Sequence, residues 1–401
     1  MGRISLLGNF DTGCVIGLTK AEVEICQQMF CGSVPAERIR AVDVEFLERL
    51  EEGSFFAPAE HVQGLDVAYL HVTQKCNLNC KGCYSDDDQR NTLVDASFGR
   101  ICKAIKELSD FGIQSLVISG GEPFLRDDLV EIVSYAKTNC GIPSVAVLTN
   151  GTHLDEAVLK RLAPIIDLLS VSFDGCSEEA VAYIRGEQRF RQLVNAVQSI
   201  KKAGISAHII PTIHSKNVKD IEDYVRLASE LGVTLNFSLL SCGLDAEMEP
   251  LLLKEEDLIE LAKNVLHASE ISVVDFLDSP VGVDLSVKKK CGAGSRLISV
   301  AADGRVFPCH MLHYDEFCLG NLFSESLGAI LAKEQNLCFQ DALEEGCSEK
   351  GRCKYGALCG GGCVARSFLV NGNLNGLDPY CGLSKRYFEL LESKFDAMLD
   401  S

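Results

Sequence analysis

The 401-residue chain has no run of 18 apolar residues, which excludes a membrane-spanning helix legible from hydropathy. Met1 to Phe10 lack a basic stretch followed by a long apolar one, so no secretory signal is expected and the protein is expected in the cytoplasm. Basic residues are in deficit: 38 Lys and Arg stand against 57 Asp and Glu, for a formal net charge of −19. Phosphate binding needs a basic surface, so neither nucleic acid nor an anionic membrane is expected as a partner. Internal repeats and low-complexity segments are also missing. What is left, 47% hydrophobic and 24% charged, is the composition of a globular enzyme with room for two or three domains.

Cysteine is in excess, with 19 residues. Disulfides are rare in reducing compartments, so clustered thiols there point to metal. Cys14, Cys26, Cys31, Cys102, Cys140, Cys176 and Cys242 are scattered and read as small apolar side chains. Most of the others fall into two clusters.

Three segments follow from the patterning. In residues 1–62, extended stretches at Arg3–Leu7 and Cys14–Leu18 flank an Asn-Phe-Asp-Thr-Gly turn. Thr19 and Glu22 then form a capping box for a helix running to about Phe30, and a second helix spans Asp43 to Glu52. Residues 63–285 alternate strand and helix. The expected strands are Val67–Val72, Ser115–Ser119, Ser144–Leu148, Leu168–Ser172, Ser206–Thr212 and Thr234–Leu239. Six such units imply an α/β fold, a partial (β/α)6 TIM-type barrel with its chemistry on loops at the strand C-termini. In residues 286–401 cysteine and glycine become dense and regular strands are expected to fade, as in a small domain held by metal; Ser384–Leu399 closes it as a helix. The runs Asp86-Asp87-Asp88 and Lys288-Lys289-Lys290 read as solvated loops.

The first cysteine cluster, Cys76, Cys80 and Cys83, directly follows the first barrel strand with C-x3-C-x2-C spacing. Three thiolates on one loop can hold three irons of a 4Fe–4S cube, which needs four ligands. With no fourth cysteine nearby, one iron stays open to an exogenous ligand, as in a catalytic rather than a closed structural site.

In this setting the chain resembles the radical SAM enzymes. The resemblance implies that the open iron chelates S-adenosylmethionine (SAM) and that its reductive cleavage yields a 5′-deoxyadenosyl radical. Ser119-Gly120-Gly121-Glu122-Pro123 closes the second strand and is similar to the family's GGEP motif, whose backbone contacts the SAM amino group. Asn150, at the third strand end, either orients SAM or initiates a turn. Ser172 and Asp174, at the fourth, occupy a position the family uses for SAM. Arg185 matches an arginine that contacts the SAM carboxylate in several relatives. Gly82, within the cysteine loop, is counted with these cofactor positions.

The second cluster resembles the SPASM extension, C-x9–15-G-x4-C, gap, C-x2-C-x5-C-x3-C, gap, C. Cys291, Gly304, Cys309, Cys347, Cys353, Cys359, Cys363 and Cys381 follow that order, except that five residues rather than two separate Cys347 from Cys353. The resemblance implies two auxiliary 4Fe–4S clusters, hence three in all. Cys347, Cys353, Cys359 and Cys381 would hold the distal one; Cys291, Cys309 and Cys363 would hold the proximal one, with an open iron or Cys318 as fourth ligand. Auxiliary clusters suit a two-electron oxidation of substrate.

The expected activity is therefore that of a radical SAM/SPASM oxidoreductase acting on a peptide or protein in ribosomal peptide maturation, by crosslinking or decarboxylation. Formylglycine maturation, haem-precursor tailoring and a non-catalytic electron-transfer scaffold are the alternatives. The N-terminal unit carries the preference: Asp11-Thr12-Gly13 followed by Leu18-Thr19 resembles a PqqD-like, winged-helix peptide-recognition domain. Formylglycine maturases place an Asp after the cysteine matching Cys309, and here that residue is His310; it and His313 could act as acid or base or pack near the cluster. A flavodoxin- or ferredoxin-type electron donor is the expected partner.

Overall fold

The computed structural model describes residues 5–30, 44–56, 64–244, 246–268, 285–349 and 351–399. Its frame is a run of strands, each followed by a helix. They are β3 (Val67–His71), β4 (Ser115–Ser119), β5 (Ser144–Thr149), β6 (Leu168–Phe173), β7 (Ala207–Ile213), and a sixth position split into β8 (Thr234–Leu235) and β9 (Ser238–Leu239). β3 through β8 pair in sequence order and in parallel, and β9 also pairs with β7. A parallel ladder built from consecutive units puts every strand C-terminus at one edge of the sheet. That geometry brings the loops after His71, Ser119, Thr149 and Phe173 together.

The strands are rich in β-branched and aliphatic residues whose side chains alternate between faces. Ala68, Leu70, Leu116, Ile118, Val145, Val147, Leu169 and Val171 bury one face against the helices. α3 (Phe98–Asp110) answers with Ile101, Ala104, Ile105 and Leu108, a helical spacing. α5 (Glu156–Leu162) starts where Asp155 accepts hydrogen bonds from the Ala157 and Val158 amides. α7 (Ile221–Leu231) stops at Gly232, whose φ of 62° is left-handed. α4 (Leu129–Ser134), α6 (Phe190–Lys202) and α8 (Glu255–Ala268) complete this layer. Truncating a fully buried side chain here, such as Phe173→Ala, would cost about 3–5 kcal/mol.

Regular strands do not fade beyond residue 286, contrary to the sequence expectation. β10 (Leu297–Val300) joins the free edge of β3 in parallel, with Leu297 opposite Val67. β11 (Arg305–Phe307) and β12 (Gly320–Asn321) continue antiparallel. The C-terminal segment thus extends the barrel sheet on the β3 side, with Cys309 following β11 at the N-terminal end of β10. Short helices α9 (Leu327–Leu331), α10 (Glu334–Glu345), α11 (Gly356–Cys359) and α12 (Val364–Asn371) follow, then α13 (Cys381–Leu399), which lies along α8. Phe339, Leu343, Val364 and Ala365 form a small apolar core beside Cys309.

At the N-terminus, β1 (Ser5–Gly8) and β2 (Val15–Leu18) form an antiparallel hairpin. α1 (Lys20–Phe30) begins in the expected capping box: the Thr19 amide donates to Glu22 Oε2 at 2.6 Å, and the Glu22 amide donates to Thr19 Oγ1 at 3.3 Å. α2 (Val44–Glu52) buries Phe46, Leu47 and Leu50 against Cys26. The hairpin turn docks on the start of the C-terminal segment, where the Val287 amide donates to the Gly13 carbonyl and Lys289 pairs with Asp11 at 2.7 Å. Cys31 lies outside the described residues. Of the other scattered cysteines, Cys26 and Cys102 are buried and Cys14, Cys140, Cys176 and Cys242 half-buried. Among the described residues, no helix is long and apolar enough to cross a membrane.

Candidate active site at the barrel mouth

The loop leaving β3 carries Cys76, Cys80 and Cys83 and is fixed by its own backbone. The Gly121 amide donates to the Thr73 carbonyl at 2.8 Å, and the Glu122 amide donates to the Lys75 carbonyl at 2.8 Å. The Cys76 amide donates to Asn91 Oδ1 at 2.8 Å, and the Lys81 amide to the Ile184 carbonyl at 2.8 Å. These bonds explain the glycines. A Cβ on Gly120 would sit 2.3 Å from the Thr73 carbonyl oxygen, and one on Gly121 would sit 2.1 Å from that of Lys75. Only bare backbone allows the Gly120–Glu122 turn to zip onto the cysteine loop.

Glu122 is fully buried. It accepts the Phe124 amide at 3.1 Å, the Thr149 hydroxyl at 2.8 Å and the Asn150 amide at 2.7 Å, linking the ends of β4 and β5. Burial pushes its carboxyl above the ordinary range, opposed by those hydrogen bonds. Asn150 donates to Asn77 Oδ1 at 2.9 Å and accepts from Thr152, so it braces the cysteine loop while forming a turn.

The three thiols lie within electrostatic reach of one another. Burial pushes Cys76 and Cys80 up; Cys83 adds to both, and Cys76 also to Cys80. Two guanidinium groups oppose this. Arg90 Nη2 donates to Cys83 Sγ at 3.4 Å, and Arg185 is hydrogen-bonded to Cys80. The donor set fits an iron–sulfur cube: three half-buried thiols within reach of one another, faced by cations that favour the anionic group they would hold.

Arg185 also donates to the Ser172 carbonyl, while its Nε is buried without a partner. Asp174 Oδ2 accepts the Ile184 amide at 2.9 Å and the Arg185 amide at 2.8 Å, and its Oδ1 has no partner. Asp174 therefore orders the Arg185 segment, and only its second oxygen is left for a ligand. Ser172 lies half-buried at the end of β6. Gly82, with φ of 62°, packs against Met248 and Leu240 rather than toward Gly120.

Sequence reasoning named His310 and His313 but not the wall of rings they join on the β3–β10 side. His71 is fully buried with neither ring nitrogen partnered. It lies 4.7 Å from the His313 ring and 6.0 Å from the Tyr84 ring. His310 stacks on Tyr69 at 4.3 Å and meets the Tyr84 edge at 5.2 Å. Burial lowers His310 to about 4, and burial with His310 and Arg305 lowers His313 to about 3. Both are neutral imidazoles at pH 7. Through Tyr84 and His310, this wall connects the residue after Cys83 with the residue after Cys309.

The C-terminal cysteines separate into two groups. Cys347, Cys353, Cys359 and Cys381 line one concavity. Burial pushes Cys381 up to about 11, Lys385 opposes, and Cys359, Cys347 and Cys353 add to it. Cys291 is pushed up to about 11 by burial and then by Cys363; Cys309 rises through burial, Cys363 and Cys291. The Cys363 amide donates to Asp378 Oδ2 at 2.7 Å, and Arg366 clamps the same carboxylate at 2.7 and 3.0 Å. Cys318 Sγ donates to the Gly320 carbonyl at 3.7 Å.

Residues 70–228 match the radical SAM superfamily, and residues 291–360 match an iron–sulfur cluster-binding domain, SPASM. Mycofactocin maturase MftC of Mycobacterium tuberculosis (strain CDC 1551 / Oshkosh) is 30% identical over 337 residues, covering 80% of this chain and 84% of that protein. The chain belongs to the radical SAM superfamily. It is a radical SAM enzyme of the SPASM type, with SAM and iron–sulfur clusters as cofactors. AdoMet-dependent heme synthase of Methanosarcina barkeri (strain Fusaro / DSM 804) is 28% identical, covering 77% of this chain and 94% of that one. PqqA peptide cyclase of Gluconobacter oxydans (strain 621H) is 26% identical, with 78% and 89% covered. The fold matches that of anSMEcpe with bound AdoMet and Cp18Cys peptide, at a TM-score of 0.70 and 20% identity, over 84% of this chain and 99% of that one.

Proposed function

We propose that this radical SAM/SPASM enzyme oxidatively modifies a peptide, with Cys76, Cys80 and Cys83 holding the cluster that cleaves SAM. The observation that carries the reading is the zipping of Gly120–Glu122 onto the loop of the three mutually reaching thiols. When bound, cluster and SAM supply a 5′-deoxyadenosyl radical that takes hydrogen from substrate. The chain's own residues do the rest. The Gly120–Glu122 turn is the backbone that would meet the SAM amino group. The unpartnered Nε of Arg185 and Oδ1 of Asp174, with the Ser172 hydroxyl, are the polar groups left for its carboxylate and ribose. Asn150 holds the loop beside it. The ring wall of His71, Tyr84, His310 and His313 excludes water on the side facing the C-terminal segment.

Cys347, Cys353, Cys359 and Cys381 would hold a distal auxiliary cluster, and Cys291, Cys309 and Cys363 a proximal one, three clusters in all. Residues 1–62 form the peptide-recognition unit, 63–285 the radical SAM core and 286–401 the SPASM domain. Delivery of electrons falls to a flavodoxin- or ferredoxin-type protein in the cytoplasm. The peptide substrate is supported by the relatives: a maturase and a cyclase named for its peptide are matched over most of their length. Incubating the reduced, reconstituted enzyme with SAM and any short peptide found encoded beside its gene should give 5′-deoxyadenosine and a peptide of lowered mass. Turnover of an iron porphyrin, with the peptide unchanged, would overturn the substrate assignment.

A further inference from the structure

Seven residues beyond Cys83, a segment without secondary structure folds back over the thiols. The Asp86 amide donates to the Cys83 carbonyl at 3.1 Å and the Arg90 amide to the Asp87 carbonyl at 3.0 Å, closing two turns. Asn91 adopts a left-handed φ of 62°, rare for a residue with a side chain, and its Oδ1 receives the Cys76 amide at 2.8 Å. Arg90 enters the site between these anchors, with its side chain 11% exposed. Its Nη2 lies 3.4 Å from Cys83 Sγ and 3.2 Å from Ser85 Oγ. Ser85 is buried, lies 3.5 Å from the same sulfur, and donates to the Gly120 carbonyl at 3.0 Å. A continuous path thus runs from a cluster thiol, through one guanidinium and one hydroxyl, to the backbone of the glycine turn.

We propose that Arg90 is a positioning residue that raises the reduction potential of the cluster at Cys76, Cys80 and Cys83 and, through Ser85, ties that cluster to the SAM-binding turn. This rests on the assignment of those three cysteines under the proposed function. Reduction adds one electron, supplied by the external donor, and hence one negative charge to the cluster. A charge-assisted N–H···S bond from a sparsely hydrated guanidinium stabilises that charge and favours the reduced state. Arg185 faces Cys80 in a comparable way, but its second contact is the Ser172 carbonyl, so of these two guanidinium groups it is Arg90 that meets, at Ser85, the hydroxyl bonded to the glycine turn. The acidic run before it has a supporting role: Asp86 lies 3.6 Å from Arg90 Nε, and Asp87 accepts Gln74 Nε2 at 2.6 Å.

The test is an anaerobic redox titration of the full-length, reconstituted enzyme, followed by electron paramagnetic resonance. Arg90→Gln should lower the equilibrium constant for one-electron reduction of the SAM-responsive cluster about tenfold, about 59 mV, leaving the auxiliary signals in place. Arg90→Lys keeps the charge but not the fork and should shift the same way by less. Ser85→Ala should diminish the change in that cluster's signal on adding SAM. A Gln variant that retains the cluster at the wild-type potential overturns the proposal, as does an equal shift of every cluster. If the Gln variant fails to hold the cluster, Arg90→Lys decides, and a wild-type potential there overturns it too. Failure of the underlying assignment is separately visible: the wild-type SAM-responsive signal would then survive replacement of Cys76, Cys80 and Cys83 by alanine.

Discussion

The buried carboxylate of Glu122 accepts the Thr149 hydroxyl at 2.8 Å and so joins the ends of two neighbouring barrel strands at the site. Its other bonds, to the Phe124 and Asn150 amides, leave no part of the carboxylate idle. Glu122→Ala strands three buried donors. We expect a loss of about 3 kcal/mol in urea unfolding and at least tenfold weaker SAM binding by calorimetry. Glu122→Gln, which keeps one acceptor oxygen, should fall between.

Gly121→Ala is the smallest change that attacks the zipped loops directly. The new methyl would meet the Lys75 carbonyl at 2.1 Å, and backbone cannot rotate aside. The variant should fold but lose SAM binding and the SAM-induced change in the cluster spectrum. Gly112→Ala, in a turn with open space around it, tests backbone strain alone and should leave both in place.

Arg366 and Asp378 form a buried pair whose carboxylate also receives the Cys363 and Tyr380 amides. Asp378→Ala leaves the guanidinium charge uncompensated and should cost about 3–5 kcal/mol. Because Asp378 orients Cys363, iron analysis should show roughly four irons fewer per chain. The SAM-responsive signal should persist.

His214 is fully buried and is lowered to about 4, chiefly by burial and then by Lys216. A histidine kept neutral in the fold but protonated once unfolded costs stability as pH falls below about 6.5. The loss should be complete near 4, on the order of 3 kcal/mol. Urea midpoints of the wild type should therefore drop between pH 7 and pH 5. His214→Asn, which can still accept the Lys216 amide, should remove one histidine's share of that drop, with His310 and His313 still contributing in the same direction.

The barrel was legible because its strands are apolar runs separated by amphipathic helices, and both periodicities survive in the sequence. Ser115–Ser119 falls where it was expected, the strands at 67, 144, 168 and 207 differ by one residue at one or both ends, and the sixth keeps its outer bounds. The sixth strand breaks at Asn236-Phe237, which the unbroken polar–apolar alternation of Thr234–Leu239 concealed. β10 to β12 were not legible. They have two to four residues each, and β10 gains its identity from pairing with β3, some 230 positions away. The cysteines announced themselves by spacing. Arg90 did not, since it follows an acidic run that reads as solvent-facing loop, and only the fold turns its side chain onto Cys83. His71 carries no signal either: a lone histidine at a strand end becomes notable only when its nitrogens are found buried and unpaired.

The central claim is that Cys76, Cys80 and Cys83 hold the cluster that cleaves SAM. Its most direct test is 5′-deoxyadenosine formation by the anaerobically reduced, reconstituted wild type and by the triple alanine variant at those positions. The account predicts product from the wild type, none from the variant, and a loss of about four irons from about twelve. Equal product from both, or the same iron content in both, would contradict it.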